Sequence, residues 1–180
     1  MINQEDTQIL FIDIQEKMMP AIYKREELEA RICLLAKCIQ LLDLPVLVTR
    51  QYPKGLGDTI PLLKETLGDH DCTDKIAFSC LRDDNGFKEK LLEPGKKNLI
   101  VSGVEAHICV QQTVLDLLDI GINVIVPADC IGSRHETDRL YAIERMARSG
   151  AIVTTMEAVL FEIMKSADHP ARKAIQNLIK

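Results

Sequence analysis

Apolar residues along this chain alternate between short unbroken runs and longer stretches with helical spacing. Residues 7–12, Thr-Gln-Ile-Leu-Phe-Ile, are too few for a helix and predict a strand. Over 27–42 the apolar positions Leu28, Ile32, Leu35, Ile39 and Leu42 fall on one helical face. A β-branched run at 45–49 follows a turn, and 98–103 and 122–126 are further strands. Residues 106–120 predict a helix stopped by Gly121, and 135–149 a helix with Gly150 just beyond it. Strands at 151–155 and, shorter, at 74–77 complete the pattern. The strands are continuously apolar, as expected of parallel strands with helices on both faces. The predicted fold is therefore α/β, a three-layer α/β/α sandwich around a mainly parallel, Rossmann-like six-stranded sheet.

No linker, repeat or low-complexity segment divides the 180 residues, so a single domain over 1–180 is expected. The formal net charge of −5, with no run of Lys and Arg, argues against a nucleic-acid partner. The polar, acidic first residues do not resemble a secretory signal, and no apolar stretch approaches a membrane span. No membrane partner is expected, and the predicted location is the cytoplasm. The 6 cysteines include no Cys-x-x-Cys pair, which reads as free thiols in a reducing compartment. His-x-His, His-Glu-x-x-His and Asp-x-His spacings are absent, so neither a metal nor another cofactor is expected.

In open α/β sheets ligands bind beyond the carboxyl ends of the strands. Asp13 stands there directly after the first strand, where a carboxylate is costly to bury without a partner. It reads either as a functional acid or as a capping or ion-paired structural one. Lys75 lies beside the short third strand and, taken alone, reads as a solvated edge residue. Cys109 falls where a strand runs through Gly103 into a helix start. Unpaired N–H groups and the positive end of the helix dipole favour a thiolate at such a position. The plainer alternative is a small side chain filling the helix start. His107 is too close in sequence to face Cys109 on one helix, so it reads as pocket wall or surface.

Three segments, Phe11-Ile12-Asp13-Ile14-Gln15, Lys75-Ile76-Ala77-Phe78-Ser79 and Gly103-Val104-Glu105-Ala106-His107-Ile108-Cys109-Val110, stand in this order, with Asp129 and Ser133-Arg134 after the next strand. In order and spacing they resemble the isochorismatase-like cysteine hydrolases, which include nicotinamidases, N-carbamoylsarcosine amidase and ureidoacrylate amidohydrolases. The resemblance implies a catalytic triad of Asp13, Lys75 and Cys109. It also implies a cis peptide between Val104 and Glu105, which aims the N–H groups of Glu105 and Cys109 at a substrate oxygen. Asp13 would take the thiol proton, Lys75 would stabilise the negative charges, and the thiolate would attack a carbonyl to give an acyl-thioester. Gln15, Gln51, Tyr52, Phe78 and His107 are the candidate substrate-pocket residues.

Metal-holding nicotinamidases carry Asp and His after the second strand, where this chain has Gln51 and Pro53. The resemblance therefore points to a metal-free subgroup, and the retained cysteine to a small-molecule amide substrate. It also implies a homo-oligomer. The segments at 160–161 and 175–179 supply either its interface or cover for the chain's own sheet. Competing readings are an aspartyl-phosphate enzyme, which needs a second acid where Gln15 stands, and a nucleotide-binding fold, which needs a glycine-rich loop. A thiol-bearing binding or assembly protein on the same fold is the remaining alternative.

Overall fold

The computed structural model describes residues 2–68 and 70–180. Its centre is a sheet of strands β1 (Thr7–Ile12), β2 (Val46–Gln51), β3 (Cys72–Lys75), β4 (Asn98–Val104), β5 (Asn123–Pro127), β6 (Ile131–Gly132) and β7 (Ile152–Thr154). The order is β3-β2-β1-β4-β5-β7, with every ladder parallel. The sheet has 7 strands rather than the six expected. The additional one, β6, is two residues long and pairs with the end of β4 at Gly103↔Ile131 and Val104↔Gly132. An element that short carries no periodicity.

All residues of β1 and β4 are buried, and their side chains alternate between two cores. Ile9, Phe11 and Ile100 face one layer, made by α1 (Arg25–Leu41), α3 (Pro61–Leu67), α7 (Met156–Met164) and α8 (Arg172–Ile179). Leu10, Ile12, Leu99 and Val101 face the other, made by α4 (Phe87–Leu92), α5 (Gln111–Asp119) and α6 (Glu136–Arg148). This double cover explains the unbroken apolar runs. It also accounts for the C-terminal apolar segments. Leu160 and Ile175 lie in the first core, while Phe161 and Leu178 remain exposed. Among the described residues no helix is long and apolar enough to cross a membrane.

Two local departures matter for the site. The segment expected as one helix over 106–120 opens with a π-helical turn at Ala106–Val110, and α5 begins only at Gln111. The third strand ends at Lys75 instead of running to 77, and Ile76 beyond it is exposed. The turn-rich stretch after β2 holds one short helix, α2 (Pro53–Leu56), and returns to the first strand's exit through a Gln15↔Thr59 bridge. Arg50 ties this stretch down. It bonds Asp58 at 2.7 Å and Asp74 at 2.7 Å, and Lys64 bonds the second oxygen of Asp58 at 2.6 Å.

Gly103 has φ +133°, and a Cβ there would overlap the carbonyl oxygen of Ile12. β4 can pass this close to the end of β1 only without a side chain. Gly103→Ala should cost at least about 2 kcal/mol, combining backbone strain and overlap. Chemical denaturation checks this, with an unchanged midpoint as the contrary result.

Candidate active site

Four adjacent strands end on one patch. Asp13 follows β1, Gln51 ends β2, Lys75 ends β3, and β4 leads through Glu105 into the turn holding Cys109. The patch includes the crevice between β1 and β4, where the strand order reverses. Asp13 turns the chain sharply with φ 53°, a left-handed conformation that Asp tolerates better than most residues. Its N–H donates to the Thr49 carbonyl at 3.1 Å.

Asp13 is fully buried and its carboxylate is held on both oxygens. Thr49 Oγ1 donates to Oδ1 at 2.9 Å, and Lys75 Nζ donates to Oδ2 at 2.6 Å. Lys75 is itself buried, and also donates to Gln51 Oε1 at 2.7 Å and Phe78 O at 3.0 Å, with Ala77 O at 3.3 Å. Its surroundings are thus built wholly of acceptors, as a buried ammonium requires. The loop after β3 is fixed so that its carbonyls face this ammonium. The Asp83 carboxylate accepts from the N–H groups of Ile76 and Ala77, at 2.5 Å and 3.0 Å. Asp116 on α5 accepts from Ser79 Oγ at 2.6 Å and from both ends of the Arg82 fork at 2.8 Å.

The Cys109 thiol lies near enough to the Asp13 carboxylate to pull the carboxyl pKa down. Burial works the other way and dominates, so the Asp13 pKa is raised above the ordinary carboxylate value despite Lys75. Burial opposes the charge on Lys75, but the negative charge around it, that of Asp13 first, outweighs burial and raises the lysine pKa. Burial, and then the Asp13 charge, push the Cys109 thiol well above its usual range, against the pull of Lys75. This direction opposes the thiolate that the helix start by itself would favour. Loss of solvent and the adjacent carboxylate both favour the neutral thiol.

The peptide between Val104 and Glu105 is cis. The Glu105 carbonyl accepts the N–H groups of Ile108 at 3.0 Å and Val110 at 3.2 Å. Its buried side chain accepts from the Arg134 backbone at 3.0 Å and from Arg134 Nε at 3.1 Å. The N–H of Glu105 donates to no protein acceptor among the described residues.

The expected pocket residues divide. Gln15 and Gln51 reach the site, but their amides are committed to the protein. Gln15 accepts from the Gln51 N–H at 2.7 Å and donates to Gln51 O at 3.0 Å and Gly57 O at 2.8 Å. Gln51 Nε2 donates to Ile76 O at 2.6 Å. Tyr52 and Phe78 flank Lys75 with about half of each side chain exposed. His107 turns away, bonding Ser133 Oγ at 3.0 Å and facing Asp138 on α6. Sequence reasoning missed Thr49, which closes an apolar run without any distinguishing signal. It also missed Cys80, a fully buried second thiol 3.7 Å from Thr49 Oγ1, whose pKa burial pushes up to about 11. Among the described residues no three His, Cys, Asp or Glu side chains cluster as metal ligands would.

Residues 7–158 match the isochorismatase domain family. Isochorismatase domain-containing protein 1 of Danio rerio is 40% identical over 169 residues, 93% of this chain. The matched part spans only 59% of that relative's length. The structure of MAR1 ribonuclease from Caenorhabditis elegans superposes with a TM-score of 0.92 at 40% identity, over 99% of this chain and 91% of that one. YcaC from Pseudomonas aeruginosa, solved with hexane-2,5-diol and covalent acrylamide, superposes with a TM-score of 0.89 at 25% identity, over 98% of this chain and 90% of the other.

Proposed function

The chain belongs to the isochorismatase family, and from that premise we propose that it is a cysteine hydrolase of small-molecule amides, acting through Cys109, Asp13 and Lys75. The observation that carries this reading is one buried patch combining a thiol, a carboxylate of raised pKa beside it, and an ammonium bonded to that carboxylate at 2.6 Å. A base is needed because the thiol does not ionise by itself at neutral pH. Asp13 takes the Cys109 proton as the sulfur attacks the amide carbonyl. The developing oxyanion is received by the N–H groups of Glu105 and Cys109. Asp13 then returns the proton to the leaving nitrogen, giving an acyl-thioester and a free amine. In the second half Asp13 deprotonates water, which attacks the thioester; the C–S bond breaks, the carboxylic acid leaves, and Asp13 returns the proton to the Cys109 sulfur. Lys75 holds Asp13 in place and offsets its charge, so that the base stays ionised while buried.

The covalent acrylamide belongs to the P. aeruginosa protein, and it supplies a probe here. Acrylamide consumes one thiol proton on addition, as the proposed attack does. A panel of primary amides, with ammonia release as the readout, should yield a substrate that Cys109→Ser does not turn over. The ribonuclease name of the C. elegans relative supports a second reading, RNA hydrolysis. The net charge of −5 and the full burial of Asp13 favour the amide. An RNA oligonucleotide in the same panel separates the two, since cleavage lost in Cys109→Ser would favour the second. Repeated association of the domain into a homo-oligomer, and a cytoplasmic location for its free thiols, form part of the same proposal. Light scattering that finds only monomer would remove the first.

The raised pKa of Asp13 sets the pH profile. The base must be ionised, so hydrolysis should fall on acidification at a midpoint above the ordinary carboxylate value of about 4. A kcat/KM profile checks this, and an acid limb at or below pH 4 contradicts it.

A further inference from the structure

We infer that Gln51, held by Gln15, is a positioning residue that aims the Lys75 ammonium at Asp13 and keeps the second group facing that ammonium uncharged. The inference rests on the proposed hydrolase reading. It reassigns both glutamines from substrate contact to the support of the base.

The geometry fixes Gln51 from every side. Its side-chain oxygen accepts from Lys75 Nζ at 2.7 Å, while its side-chain nitrogen donates to Ile76 O at 2.6 Å. The second bond dictates which end of the amide faces the lysine, because a flipped amide would set N–H against N–H and oxygen against oxygen. The backbone of Gln51 is clamped in turn. Gln15 takes its N–H and gives to its carbonyl, which is a complete pairing by a side chain that is itself fully buried. Gln51 also lies in register with Lys75 across β2 and β3, so the two side chains leave neighbouring strand ends together. Sequence position 15 thereby sets position 51, which sets position 75, which sets the base at position 13.

The charge of this acceptor matters as much as its reach. The titratable groups around Asp13 are Lys75 from β3, Cys80 from the loop after it and Cys109 from the π-helical turn. Lys75 faces the same two thiols and Asp13. One cation therefore serves one carboxylate, and the neutral amide completes its shell without competing. A carboxylate at position 51 would share the ammonium and place a second negative charge near Asp13. It would hold the Asp13 proton to higher pH.

The test is the rate of acrylamide addition to Cys109 against pH, read by peptide mass spectrometry on the full chain. Wild type, Asp13→Asn, Gln51→Glu and Gln51→Met are compared, with thermal unfolding of each. In Gln51→Glu the acid limb of labelling should move up by about one pH unit or more. In Gln51→Met the limb should stay near its wild-type midpoint while the plateau falls by about tenfold. A merely structural glutamine predicts something different: both variants lose melting temperature but keep the wild-type limb and plateau at temperatures where they are folded. That result overturns the inference. Either variant decides alone if the other does not fold. Wild-type labelling indifferent to Asp13→Asn would instead remove the hydrolase reading on which the inference rests.

Discussion

Replacing Cys109 by serine is expected to reduce amide hydrolysis by at least about a thousandfold while leaving the fold intact. In the proposed mechanism the one base is Asp13, acting on a thiol. A hydroxyl is many orders of magnitude harder to deprotonate, and nothing in the shell of Thr49, Lys75 and Gln51 compensates for that. The residue is buried and compact, so the sulfur-to-oxygen change should shift stability by no more than about 1 kcal/mol. Cys80→Ser serves as the control. Cys80 contacts Thr49 rather than accepting a role in the attack, and its loss should change the rate by only a few fold. Ammonia release from the best amide of the panel measures both. Comparable rates in Cys109→Ser and wild type would exclude the thiol as nucleophile.

Breaking the Asp13–Lys75 pair should produce the largest loss of stability. Both partners are buried, so removal of either strands the other without a counter-charge, at about 3–5 kcal/mol. Against a total of roughly 5–15 kcal/mol for a domain, this is a substantial fraction. Lys75→Met and Asp13→Asn should differ in their pH dependence. In Lys75→Met, Asp13 can escape by binding a proton, since its folded pKa rises further above the unfolded value. The folded state then binds more protons than the unfolded one over that interval, and stability falls as pH rises through it. The variant should therefore be less damaged at pH 5 than at pH 8. Asp13→Asn strands the Lys75 ammonium facing Gln51 and two carbonyls; burial then lowers the lysine pKa, so its escape is loss of a proton and this variant should be less damaged as pH rises. The double variant should lose less than the sum of the singles. Denaturant titrations at both pH values test this, and additive losses without pH dependence would mean that the pair is not coupled.

How much of this was legible in the sequence follows from what each element must satisfy alone. β1, β4 and α1 were readable because double burial and a regular apolar face leave a signal in every residue. β3 is faint in the sequence because it is an edge strand, with Cys72 and Thr73 only partly buried and Asp74 exposed. The apolar Ile76 and Ala77 that follow it belong to the loop held by Asp83. Short helices such as α3 and α4 begin at Pro61 and Phe87 and span too few turns to show a period. Asp13 and Cys109 could be singled out by position at strand ends, but Lys75 gained meaning only from the family resemblance. The roles of Gln15 and Gln51 were not readable at all. Their partners lie 24 to 42 residues away along the chain and meet only in the folded sheet.

The central claim is that a neutral Cys109 thiol is activated by Asp13 at the moment of attack. The most direct measurement is the second-order rate of acrylamide addition at each cysteine, from pH 4 to 10, in wild type and Asp13→Asn. The account predicts that Cys109 reacts fastest near neutral pH, on an acid limb set by Asp13 rather than on a rise toward a free-thiol pKa. Asp13→Asn should abolish that advantage. Equal labelling of Cys109 in the two proteins, or a faster reaction at another cysteine, would contradict it.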